Sequence, residues 1–138
     1  MNKISFETKL TVPFCDLDPL NIVWHGNYLK YLELARGEFF DYLGYGYLAM
    51  HEDEVAFPIA KMDLKFIEPA TLHQKIVVKC TLEEIEPALI IKYEIRDEQF
   101  GRKLFKASSM QMCVDLRTKT TLYKAPDKLL KAIGKFDV

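Results

Sequence analysis

The period of the hydrophobic pattern changes once at length along this chain, and that change limits the folds open to it. From about Asn27 to Leu43, apolar residues recur at spacings of three and four. Tyr28, Leu32, Ala35, Phe39 and Tyr42 make one stripe, with Lys30, Glu33 and Glu38 mainly on the outer side. Asn27 suits an N-cap and Gly44 a left-handed C-cap, so start and stop agree on one long helix. Elsewhere the period is two. Residues 4–14 place Phe6, Leu10, Val12 and Phe14 on one face, with Glu7, Lys9 and Thr11 on the other. Residues 55–67 read as a strand that Pro58 interrupts, which suggests an edge or a bulge. Residues 73–85 align Ile76, Val78, Cys80 and Leu82, and residues 88–97 align Leu89, Ile91, Tyr93 and Ile95. A long strand over 102–116 puts Leu104, Met110, Met112, Val114 and Leu116 in phase. Pro126 then opens a short terminal helix, PDKLLKAI.

One strand, a long helix and four sequential strands imply an α+β domain with an antiparallel sheet packed on the helix. The helix stripe is rich in Tyr and Phe and nearly continuous, so the sheet is expected to curl around it. The 138 residues fit a single domain, 1–138, with no linker or repeat. Val77, Ile90 and Phe66 give the uncovered side of the sheet an apolar character, for which homo-oligomerisation is the natural cover.

Charge narrows the partners. Lys plus Arg number 19 against 20 Asp plus Glu, for a net charge of -1, which is not the basic excess of a nucleic-acid binder. The cations at 92, 96, 102, 103 and 106 suit a solvated sheet face. Lys3, Glu7 and Lys9 interrupt the first ten residues, and no apolar run approaches the ~18 residues of a membrane span. The expected location is the cytoplasm. Cys15, Cys80 and Cys113 have neither disulfide nor metal spacing. Cys80 and Cys113 fit buried strand positions, and His51 and His73 fit exposed loops with no metal partner.

The chemistry-bearing stretch is FCDLDPLNIVWHGNYLKYLELAR, residues 14–36. It gathers two carboxylates, an indole, an imidazole and an amide just ahead of a helix N-terminus. Backbone N–H groups are unpaired there and the helix dipole is locally positive, so an oxyanion can be stabilised. Asp18, on the preceding turn, can flank the same carbonyl as nucleophile or as general base for water. The same residues also suit an ordinary Asp-Pro turn, with His25 a structural residue and Trp24 and Tyr28 part of the core or an interface.

The run DLDPLNIVWHGNYLKYLELAR closely resembles the signature of the 4-hydroxybenzoyl-coenzyme A thioesterase-like family of hotdog proteins. Glu33, Ala35 and Arg36 match its Glu-x-Ala-Arg helix motif. FIEPATLHQKIVV resembles its turn into the third strand, and MCVDLRTKT, followed by Pro126, its last strand and tail, so the likeness covers nearly the whole chain in order. The resemblance implies a hotdog fold, a curved antiparallel sheet of about five strands wrapped around one long central helix. It also implies hydrolysis of an acyl-CoA or acyl-pantetheine thioester. Carried over by position, it makes Asp18 the catalytic carboxylate and the His25 backbone N–H the oxyanion donor. Trp24, Asn27 and Tyr28 fall at the substrate end of the site. It implies no metal and no retained cofactor, coenzyme A being part of the substrate, and sites at the interface of a homodimer or homotetramer. Where many members carry Gly before the Ile-Val pair this chain has Asn21, a residue that tolerates left-handed dihedrals.

Two rivals follow from the same fold. In a hydratase or dehydratase, His25 and Glu33 would form the acid–base pair, but eight helical residues separate them by about 12 Å along the axis. In a non-catalytic acyl-binding module, the fold would persist without the chemistry.

Overall fold

A computed structural model describes residues 3–136. Strand β1 (Ser5–Thr11) leads through a short 3-10 turn, Phe14–Asp16, to helix α1 (Asn27–Leu43). There follow helix α2 (Tyr47–Glu52), strands β2 (Val55–Ala56), β3 (Ile59–Phe66), β4 (Lys75–Glu84), β5 (Leu89–Asp97), β6 (Lys103–Gln111), β7 (Cys113–Asp115) and β8 (Thr120–Leu122), and helix α3 (Asp127–Gly134). The main sheet is antiparallel with strand order β1-β4-β5-β6-β3, and β2-β7-β8 form a small separate ribbon. The sheet curves around α1.

Period-two patterning decides the centre of this sheet. Ile76, Val78, Cys80 and Leu82 of β4 and Leu89, Ile91, Tyr93 and Ile95 of β5 are all buried in one core with Leu32, Ala35 and Phe39 of α1. Pro58 separates β2 from β3, and β3 is an edge strand, as a residue without a backbone donor requires. Gly44 closes α1 at φ 86°, its N–H donating to Asp41 O. Cys80 and Cys113 are buried, while Cys15, His51 and His73 are exposed. Burial pushes the Cys80 thiol up to about 12.

Five expectations are corrected. Phe14 is exposed, because β1 ends at Thr11 and the 3-10 turn swings the ring outward. Asn27 is not the cap: Gly26 holds that position without a side-chain bond, and Asn27 is the first helical residue. Tyr42 is half-exposed against Phe6 and Phe136, whereas Tyr31, Arg36, Phe40 and Leu43 are buried. The stripe is wider than five residues because the sheet reaches around two sides of the helix. The strand over 102–116 breaks at Met112 and presents Phe105, Ser109, Gln111 and Cys113 inward, while Leu116 is exposed. Two polar residues on the inner face account for the wrong phase. Finally, part of the loop GYGYLAMHEDE is helix α2.

Candidate active site

The segment between β1 and α1 is held by a buried carboxylate. Asp16 is 3% exposed and accepts hydrogen bonds from Tyr31 Oη at 2.6 Å and Lys30 Nζ at 2.5 Å. Burial works against its charge, but Lys30 and Tyr31 outweigh it and hold the carboxyl below the usual carboxylate range. The same partnership, added to burial, pushes the Tyr31 phenol well up. The Asp16 carbonyl accepts from Trp24 N at 3.0 Å and from Asn27 Nδ2 at 2.9 Å. Asp16 therefore ties the turn to the first two turns of α1.

With Asp16 committed to the scaffold, Asp18 is the carboxylate left for a ligand. Its backbone is pinned by Asp18 N to Ile22 O at 2.8 Å and Asn21 N to Asp18 O at 2.9 Å. Asn21 adopts φ 63°, the left-handed conformation that the turn needs and that Asn tolerates. One side-chain oxygen, Oδ1, accepts from Leu20 N at 2.8 Å and so fixes the carboxylate's direction. The other oxygen, Oδ2, has no hydrogen-bond partner among the described residues.

Asp18, His25 and Tyr28 line one cleft of about 270 Å³, closed on the far side by Phe66, Ile67, Glu68 and Pro69. His25 lies in the turn just before α1, and its backbone N–H has no acceptor among the described residues. Asp18, with one carboxylate oxygen lacking a partner, and His25, with an unpaired N–H, thus line one space at the positive end of a helix. Tyr28 contributes its ring, stacked on Phe105 at 4.8 Å, while its hydroxyl accepts from Ala70 N at 3.0 Å. Burial raises the Tyr28 phenol, so it stays neutral.

Two expected residues do not line the cleft. Asn27 spends its amide on Asp16 as a brace. Trp24 is half-exposed and lies across Gly26, where a Cβ would come within 2.2 Å of the indole; its ring tilts against His25 at 4.9 Å. His25 and Glu33, the acid–base pair of the hydratase reading, open onto different cavities. The sequence places Phe66 and Ile67 at the end of the strand over 55–67, with nothing to mark Phe66–Pro69 as a wall of the cleft. Its role comes from the hydrogen bonds of Ala70, which accepts from Val23 N at 2.9 Å as well as donating to Tyr28. Among the described residues, no group of three or more His, Cys, Asp or Glu could hold a metal.

A five-stranded curved antiparallel sheet around a central helix, with the cleft at the helix N-terminus, defines a hotdog-fold protein. The chain belongs to the thioesterase-like superfamily, whose family model matches residues 12–133. It is 33% identical over 79 residues to the acyl-CoA thioesterase YbgC of Helicobacter pylori (strain 26695), a match covering 57% of each chain. It is 24% identical over 115 residues to the acyl-CoA thioester hydrolase YbgC of Escherichia coli O6:H1, covering 83% of this chain and 86% of that one. The 1,4-dihydroxy-2-naphthoyl-CoA thioesterase Slr0204 from Synechocystis shares the fold with a TM-score of 0.86 at 18% identity, covering 97% and 98% of the two chains.

Proposed function

We propose that this chain is a single catalytic domain that hydrolyses acyl-CoA thioesters to a free acid and coenzyme A, with Asp18 as the catalytic carboxylate. The observation that carries this reading is the shared cleft. Asp18 and His25 line one space; with Oδ2 and the His25 N–H turned into it, a thioester carbonyl seated there would have its oxygen toward the amide and its carbon toward the carboxylate. Membership of the superfamily and the activities named for the two YbgC relatives support the choice of acyl-CoA.

Two chemically balanced routes fit the geometry. In one, Asp18 takes a proton from water, the water oxygen bonds to the acyl carbon, the C–S bond breaks and the thiol leaves with a proton. In the other, Asp18 Oδ2 itself attacks, expelling the thiolate, and water then cleaves the mixed anhydride. A single turnover in ¹⁸O-water that places label in the Asp18 side chain assigns the second route, in which water cleaves the anhydride at the Asp18 carboxyl carbon. The Tyr28 ring flanks the acyl end, and coenzyme A is substrate and leaving group rather than a resident cofactor.

The domain acts as a homo-oligomer in the cytoplasm. Edge strand β3 and the residue after it carry Ile59, Leu64, Phe66 and Ile67 at partly open positions, and a second copy would cover them beside the cleft. The test is thiol release by the purified chain from acetyl-, octanoyl-, palmitoyl- and benzoyl-CoA. Saturable release from at least one is expected, and none above the buffer rate on any would refute the assignment.

A further inference from the structure

Farther along α1 the protein buries a cation that it does not neutralise. Arg36 is 8% exposed, and its spacing of four from Leu32 and from Phe40 places it on the buried face of the helix. Its Nη1 donates to Tyr93 Oη at 3.3 Å, and Tyr93 shares a 2.7 Å hydrogen bond with Ser109. Its Nε has no partner, and no carboxylate among the described residues lies within ion-pair distance of the guanidinium. The other arginines, 96, 102 and 117, each have a carboxylate: Glu94, Glu68, and Glu54 with Asp115. A guanidinium cannot shed its proton, and an unpaired buried ion is costly, so this arrangement calls for an anion.

Arg36 opens onto a cavity of about 580 Å³, within the size range of small-molecule sites. Phe40, Met50, Phe57 and Val114 give it apolar walls. Gln111, 3% exposed, also lines it; its Nε2 donates to Phe57 O at 2.6 Å and its Oε1 is left unpartnered. The other titratable groups on the lining are Glu33, Tyr47 and His51, and no second Lys or Arg is present there. Arg36 is the one arginine or lysine set against the apolar walls, and the Glu33 carboxylate on the same lining opposes a second negative charge, so the match is to a monoanion with a hydrophobic body rather than a phosphate dianion. Neither Asp18 nor His25 reaches this space, and Arg36 lies about 13 Å along the helix from Asn27.

We infer that this cavity binds a carboxylic acid with an apolar tail, its carboxylate on Arg36 and its tail along Phe40, Met50 and Phe57. The carboxylate has two sources, a free acid or the far end of an ω-carboxyacyl chain. Only the second rests on the thioester hydrolysis proposed above.

The first measurement uses octanoate and the methionine methyl resonances of the intact chain. The Met50 methyl should shift saturably while Met62, on edge strand β3, does not, and octanamide of equal length should bind at least tenfold more weakly. Arg36→Leu should weaken octanoate binding at least tenfold, with Arg36→Lys retaining part of it. The octanoate–octanamide comparison needs no variant, so it decides the matter even if Arg36→Leu does not fold. An unmoved Met50 methyl, or equal binding of acid and amide, overturns the inference. The sources separate by kcat/KM. A preference of about tenfold for ω-carboxyoctanoyl-CoA over octanoyl-CoA, lost in Arg36→Leu, assigns the substrate's own carboxylate; no preference, with octanoate still bound, assigns the free acid. Octanoate binding without turnover of either thioester would reject the hydrolysis reading and uphold this site.

Discussion

Replacing Asp18 with Asn separates the chemical role of the carboxylate from its part in the turn, because its two oxygens do different things. Oδ1 accepts from the Leu20 N–H at 2.8 Å, and Oδ2 has no partner among the described residues, in a side chain that lines the cleft. Asparagine can keep a carbonyl oxygen on Leu20 N and put an amide where the free oxygen was. The turn is retained and the base or nucleophile is lost. General-base action is worth about a hundred- to ten-thousandfold, or about 2.7–5.4 kcal/mol of barrier. Hydrolysis of the preferred acyl-CoA by Asp18→Asn should therefore fall at least about a hundredfold, with Tm within about 2 °C of the parent. Asp18→Ala should lose the same activity and also the turn bond. Leu20 is 76% exposed, so its freed N–H finds water and the added cost is only about 0.5–1.5 kcal/mol, or about 2–5 °C for a chain this long. Thiol-release kinetics and calorimetry on the three proteins test both halves. Turnover by Asp18→Asn within threefold of the parent would refute the catalytic role, and a Tm drop beyond about 5 °C in that variant would refute the division of labour between the oxygens.

Tyr28→Phe keeps the stacked ring but strips the acceptor from the buried Ala70 N–H, which should cost about 1–3 kcal/mol and be read as a Tm lowered by about 3–10 °C. Asp16 has a folded pKa below its unfolded value, so it contributes stability that is present above about pH 4 and lost as pH falls through the lowered folded value. Asp16→Asn should be less stable than the parent at pH 7, with a flatter decline on acidification in denaturant titrations. With Cys15 exposed and Cys80 and Cys113 buried, a disulfide reagent should titrate one thiol rapidly in the native protein and all three in guanidinium.

Sequence periodicity located the central sheet well because β4 and β5 alternate cleanly and every position the pattern marks as apolar is buried, with Asp97 at the end of β5 buried besides. The rule failed on β6, where Ser109 and Gln111 point inward to meet Tyr93 and the Phe57 carbonyl. An apolar count assigns such residues to solvent, and nothing local reveals partners 16 and 54 residues away. Arg36 was named in the sequence as part of a motif, but not as a core residue. Its spacing from Leu32 and Phe40 carried that information, and its charge obscured it. Asp18, His25 and Tyr28 share a cleft because they bracket one helix start, which sequence can place. The opposite wall comes from Phe66–Pro69, and Trp24 and Asn27 turn out of the cleft for reasons of packing: the first covers Gly26, the second braces Asp16.

Position 28 joins two duties that enzymes often keep apart. Its ring is a floor for whatever enters the cleft, and its hydroxyl fastens the loop that forms the opposite side. Trimming this residue to admit bulkier acids would release the loop along with the space. Phe66 and Ile67 border the same cleft from open positions, and neither side chain fastens a loop by a hydrogen bond, although the Phe66 ring packs edge-on against Tyr28 and Phe105. Changes in acid preference among close relatives should accumulate on that strand end, where a new shape is compatible with an undisturbed interior.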